Sequence, residues 1–296
     1  MSHLETKTGA LESIKAFMHP RVVTMLFLGL SAGIPILLIF SSLSLWLREA
    51  GVERSAVTFF SWAALGYSFK FVWAPLIDKL PVPLLTRLLG RRRAWMLVSQ
   101  SSIIVAILWM ASINPADSGN SLTWMALAAV WLGFSSATQD IVIDAYRIES
   151  AESDLQALMS STYIAGYRIG MLIAGAGALF LASYYGSEMG SYNYQAWFYT
   201  YSIIAAVMLI GVTTTLIISE PEQIQSDNYL HSAKDYVGFL AMFLFSVAGF
   251  IAVFYFSADV VNTLKSALGD ILGNKAFAGF LIGVVRLLMA LTVAIS

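Results

Sequence analysis

Long runs with almost no charge decide what this chain can fold into. A helix needs about 20 apolar residues to cross ~30 Å of hydrocarbon. Runs of that kind occur at 22–47, 55–77, 94–113, 121–146, 156–184, 196–219, 237–256 and 277–295. They are continuous, whereas a barrel strand alternates over roughly ten residues, so they predict spanning helices and an all-α membrane protein. Composition agrees: 58% hydrophobic against 12% charged leaves too few polar groups to coat a soluble domain of this length. Residues 1–21 are polar and the first run is too long for a signal core, so that run is expected to stay as an anchor.

Basic residues set the orientation. Lys7, Lys15, Arg21, Lys79, Arg87, Arg91, Arg92, Arg93, Arg147 and Lys234 fall on one side of the eight spans; Arg48, Arg54, Lys265 and Lys275 fall on the other. The first side is therefore expected to be cytoplasmic, with both termini on it. Residues 1–21 form a cytoplasmic segment, 22–219 a six-helix body, and 220–236 a cytoplasmic linker opening on Glu220, Pro221 and Glu222. Residues 237–296 add two helices. Between these, Val260, Val261, Leu264, Leu268, Ile271 and Leu272 recur at helical spacing, predicting an amphipathic helix on the outer surface.

Several classes of chemistry drop out. The chain has no cysteine, and His3, His19 and His231 form no two-histidine spacing, so no metal site is expected. It has no Gly-Lys pair, hence no P-loop, and no nucleophile elbow. Neither an enzyme nor a cofactor site is predicted. The triplet Arg91, Arg92, Arg93 abuts a span and signals topology, with no nucleic-acid partner implied.

Charge inside the spans carries the functional signal, because an ionised side chain at membrane depth costs several kcal/mol by most estimates and normally faces a wet cavity. Lys70 lies eight residues before Asp78, and Asp140 seven before Arg147, so both sit roughly 12 Å inside the membrane and could pair. Asp140 and Asp144, four apart, share a helix face, with Gln139 beside them. Arg168 is deeper, and its planar fork suits a carboxylate. A proton relay of Asp140 with Lys70 or Arg168, joined by Asp144, is expected, since burial and a nearby cation act on a carboxylate in opposite directions. The simpler alternatives are an interfacial Asp144–Arg147 pair and a Lys70 that snorkels to the headgroups. Arg286, in the last span, has no acid in view, and a missing partner segment would explain it. Gly166, Gly170, Gly175 and Gly177 predict close helix packing. Trp46, Trp62, Trp73, Trp95, Trp124 and Trp197 sit near span ends and are expected to anchor at the interface. A faint repeat relates Leu28–Ala32 to Leu132–Ser136, and Gly66-Tyr67 to Gly166-Tyr167, as in bundles of two inverted three-helix repeats.

These residues carry a resemblance. Gly29–Pro35 with Gly33, Phe69–Asp78, Leu89–Arg93, Ser136–Arg147 and Ala165–Gly170 look like the AmpG-type muropeptide permeases of the major facilitator superfamily, over residues 20–222. The resemblance implies a 3+3 inverted-repeat half and proton-driven import of anhydromuropeptides across the bacterial inner membrane, with a part in β-lactamase induction. It implies solute contacts from Gln139, Lys70, Arg168, Tyr67 and Tyr167, and a cytoplasmic latch of Asp78 with Arg91 and Arg92. Such permeases have two six-helix halves. Residues 237–296 do not look like the start of a second half, so the chain is expected to be a fragment, or to pair with another copy. A permease for another anionic solute, such as an acyl-CoA or an oligopeptide, and a non-transporting scaffold remain the alternatives.

Overall fold

The computed structural model describes residues 16–53, 67–150, 153–221 and 233–295. Two expectations fall largely outside them: the second span and the 220–236 linker. The chain divides into two compact units, Met1–Ser226 and Asp227–Ser296. Among the described residues, seven helices are long and apolar enough to cross a membrane, and β-structure is confined to one isolated bridge, Glu188 to Ser191. An all-α membrane fold is what the apolar runs foretold.

In the first unit, α1 (Pro20–Glu49) is followed by α2 (Lys70–Lys79), the end of the second span, and a short α3 (Leu85–Leu89). Then come α4 (Arg91–Ala111), α5 (Ser121–Ser150), α6 (Leu155–Tyr184) and α7 (Tyr194–Ile217). At 30 residues, α1, α5 and α6 are each ~45 Å long, more than the hydrocarbon alone requires.

Glycine sets the α1–α6 contact. A Cβ on Gly29 or Gly33 would sit 2.2 or 2.0 Å from the carbonyl oxygen of Tyr163 or Tyr167, and one on Gly166 or Gly170 would sit 2.0 or 2.1 Å from that of Leu26 or Leu30. The contact is reciprocal, each helix pressing its backbone into the glycines of the other. Further along, both helices widen into π turns, Leu38–Ser42 and Ile173–Gly177, and Ser42 Oγ donates to the Ala174 carbonyl at 2.5 Å.

Two apolar clusters fill the unit, and a polar layer divides them. One contains Ile34, Ile103, Leu132 and Met208; the other contains Leu28, Met96, Ile141 and Ile218. On each of the four helices, buried polar residues lie between those markers: Ser31 on α1, Ser99 and Gln100 on α4, Ser135, Ser136, Thr138 and Gln139 on α5, and Thr215 on α7. Gln139 Nε2 donates to Ser31 Oγ at 2.8 Å, Ser102 and Ser135 share a hydrogen bond of 2.7 Å, and Thr215 Oγ1 donates to Gln100 Oε1 at 2.9 Å. Ser31 and Ser135, matched in the repeat, thus share one layer.

Two tryptophans depart from expectation. Trp46 and Trp197 are fully buried and stacked, with centroids 5.5 Å apart and planes 4° apart, instead of lying in an interfacial belt. Their ring nitrogens explain the burial: Trp197 Nε1 donates to Glu49 at 2.8 Å and Trp46 Nε1 to the Tyr192 hydroxyl at 3.2 Å. Tyr192 in turn donates to Asn114 Oδ1 at 2.7 Å, and burial pushes its hydroxyl up to about 12, so it remains a donor at physiological pH. Trp124 is exposed, as an anchor would be.

The second unit consists of α8 (Ala233–Phe256), α9 (Ala258–Leu272) and α10 (Lys275–Ile295). After the left-handed turn at Gly273, α10 runs back along α9, with Lys265 against Gly279, so the amphipathic segment packs on a helix and does not stand apart. Arg286 finds neutral partners in place of an acid: Ser257 Oγ at 3.0 Å, the Phe254 carbonyl, and the Phe254 ring 4.5 Å from its guanidinium carbon.

Candidate functional site

The polar layer opens toward α2 and α6 at Asp140. Its Oδ1 accepts the Tyr163 hydroxyl at 3.4 Å, and Lys70, Tyr67 and Tyr167 lie within electrostatic range. Tyr163 and Tyr167 are one turn apart, ring centroids 6.0 Å apart, on the helix whose depth the glycines set. The glycine contact therefore positions the two hydroxyls facing Asp140.

Asp144 shares the Asp140 face, as four-residue spacing requires, but points outward with a side chain 51% exposed. It pairs with Arg147 at 3.5 Å, while Arg147 Nη1 donates to Ser160 Oγ at 2.7 Å. The interfacial-pair alternative describes Asp144 better than a relay does. Lys70 is half-buried at the first turn of α2 and forms no ion pair within 4.0 Å among the described residues.

One expected pairing is not made. Arg168 does not reach Asp140; it is exposed, with Nη1 3.9 Å from Met171 Sδ, because one residue past Tyr167 turns the side chain about 100° around α6. Gln139 is buried against Ser31, because the same rotation from Asp140 aims it at α1. Its Oε1 has no partner, and neither do the buried hydroxyls of Tyr67 and Ser136, which lie near each other. Tyr163 was missed by sequence reasoning; its place four residues before Tyr167 was the available signal.

At the basic end of the unit, four helices meet at Arg92. Its side chain, 6% exposed, donates to Asp78 at 2.7 Å and forks onto Glu149 at 2.5 and 2.9 Å. Arg91 is 4.0 Å from Glu149. Glu220 accepts the backbone N–H groups of Arg92 and Arg93 at 2.7 and 3.0 Å, capping α4, while Arg93 donates to the Thr215 and Leu216 carbonyls at 3.0 and 2.7 Å, capping α7. Gly90, at φ 88°, admits this approach, for a Cβ there would lie 2.3 Å from Glu220 Cδ. The Asp78–Arg92 pairing is the one the sequence suggested; Glu149 and Glu220 are additions from tertiary structure. Arg92→Gln is expected to lower stability by roughly 2 to 4 kcal/mol, since it strands two carboxylates, one of them 44% exposed and partly screened. Thermal melting of the purified variant measures it, and a melting temperature equal to that of the parent would rule the latch out.

Among the described residues, no group of three or more His, Cys, Asp or Glu side chains is placed to hold a metal ion. Residues 21–238 match the family model described as acetyl-coenzyme A transporter 1. The chain belongs to that transporter family. It is 37% identical over 211 residues to "Putative transporter AmpG 4" of Rickettsia felis, covering 71% of this chain and 48% of the relative. It is 34% identical over 208 residues to "Anhydromuropeptide permease" of Escherichia coli K12, covering 70% and 39% respectively, and 35% identical over 202 residues to "Putative transporter AmpG 3" of Rickettsia typhi, covering 68% and 45%. The chain thus spans less than half the length of these relatives, and residues 239–296 lie beyond the family match. The relatives are transporters and permeases by name.

Proposed function

We propose that this chain supplies one six-helix half of a proton-coupled importer of anhydromuropeptides in the bacterial inner membrane, with both termini cytoplasmic. The observation that supports the reading is the carboxylate of Asp140, inside the long apolar helix α5, with the Tyr163 hydroxyl at 3.4 Å and Lys70 in range. An ionised carboxylate there is costly, so binding a proton and admitting a polar solute can be linked through it. Sugar hydroxyls and peptide carboxylates need hydroxyl and cationic partners, which Tyr67, Tyr167, Lys70 and Arg168 offer as types. A second half, from further sequence or a second copy, would close the other wall of the cavity.

Cells expressing the chain, alone and with any coding sequence that follows it, should accumulate radiolabelled anhydromuropeptide above vector controls, and an uncoupler should abolish the difference. Accumulation that ignores the uncoupler would remove proton coupling, and none in either form would remove import. The family description favours a second reading, an acyl-coenzyme A or similar anion as solute. Competition by excess acetyl-coenzyme A, but not by muropeptide, would decide for it.

A further inference from the structure

The side of α1 away from its buried stripe of Val22, Met25, Leu28 and Ala32 is not closed by protein within the first unit. Val23, Thr24 and Phe27 there face Leu209, Ile210 and Ile217 of α7 across a groove of about 520 Å³. The groove extends along α7 from Ala206 to Ile218, ~18 Å, more than half the hydrocarbon thickness. Its only polar side chains are threonines, and Thr214 already donates to the Ile210 carbonyl. These walls suit hydrocarbon.

The mouth has the opposite character. Where α7 ends, Arg93 donates to the Thr215 and Leu216 carbonyls, and Arg21 stands two residues before the groove-lining Val23 on α1, which puts two arginines at the groove's end. Arg21 is exposed and forms no salt bridge among the described residues. Arg93 spends Nε and Nη2 on α7 carbonyls and keeps Nη1. Glu220, the acid in the same neighbourhood, is occupied by the first N–H groups of α4.

We propose that this groove seats one acyl chain of an anionic phospholipid, with its phosphate against Arg21 and Arg93. The lipid would wedge between α1 and α7 and stabilise the pair, in a groove whose lining includes none of Asp140, Tyr163, Tyr167 and Lys70. The proposal is independent of which solute is carried. An apolar slot alone would take any lipid; the two cations at its mouth select the headgroup.

A chain without cysteine makes the test clean. Thr213→Cys carries a bimane label in the groove, and the full chain is reconstituted in phosphatidylcholine vesicles doped with brominated phosphatidylglycerol or brominated phosphatidylcholine. Phosphatidylglycerol should quench more strongly at equal mole fraction. Arg21→Gln should cut that preference about fivefold, since one basic residue near an anionic surface is worth about 1 kcal/mol. Leu209→Phe, which fills the slot from an exposed position, should weaken quenching by both lipids. Equal quenching by the two lipids would overturn the headgroup assignment. A label that neither lipid reaches in the parent would show that protein, from a second copy or a longer chain, covers the groove.

Discussion

Gly33→Leu is expected to prevent α1 and α6 from packing, costing roughly 3 kcal/mol or more, at the upper end of what overpacking does. The size follows from what the new side chain meets. Even a bare Cβ would stand 2.0 Å from the Tyr167 carbonyl oxygen, and backbone cannot swing aside as a side-chain tip can. Relief requires the helices to separate, which pulls apart the same contact at Gly29, Gly166 and Gly170 and strains the Ser42 to Ala174 hydrogen bond. Separation would also withdraw Tyr163 from Asp140, so any uptake should fall with stability. Gly177→Ala is the control, because its Cβ would find only an ordinary contact at 3.6 Å. Folded yield and melting temperature in detergent compare the two, and equal values for both variants would sink the packing argument.

Asp140→Asn should leave the fold standing and remove proton-driven uptake by roughly tenfold or more, about 1.4 kcal/mol in the limiting barrier. The amide keeps the shape of the carboxylate and an oxygen able to accept the Tyr163 hydroxyl, so melting should change little. What it loses is the capacity to alternate between charged and neutral forms beside Lys70. Asp144→Asn is the contrasting case. Its half-exposed pair with Arg147 is worth roughly 0 to 1 kcal/mol, and uptake should survive. Uptake measured in vesicles with an imposed proton gradient separates them. If Asp140→Asn transported normally, or lost activity only in step with melting temperature, the residue would have no coupling role.

The described spans and the packing role of Gly166 and Gly170 could be read from the chain alone, because length, hydrocarbon thickness and the absence of charge are properties of a linear string; Gly177, expected to pack as closely, meets only a carbonyl of its own helix. The shared face of Asp140 and Asp144 was equally legible, since four-residue spacing fixes it on any α-helix. Rotation of one helix against another is not contained in that string. Whether Tyr163 or Arg168 meets Asp140, and whether Gln139 faces a cavity or Ser31, depends on how far α6 and α5 turn before the glycines lock. A difference of one residue is about 100° of azimuth, enough to exchange a ligand for a bystander.

Long-range polar closure was likewise invisible beforehand. Glu220 caps a helix more than a hundred residues away, Glu149 completes the pair begun by Arg92 and Asp78, and Glu49 draws Trp197 into the interior. The underlying cause is common to all three: a polar group away from water must find a partner, and which partner is available is settled only when distant segments arrive together. Local pattern therefore dictated which helices this chain would make, while assembly of those helices chose which charge, hydroxyl and carbonyl would meet.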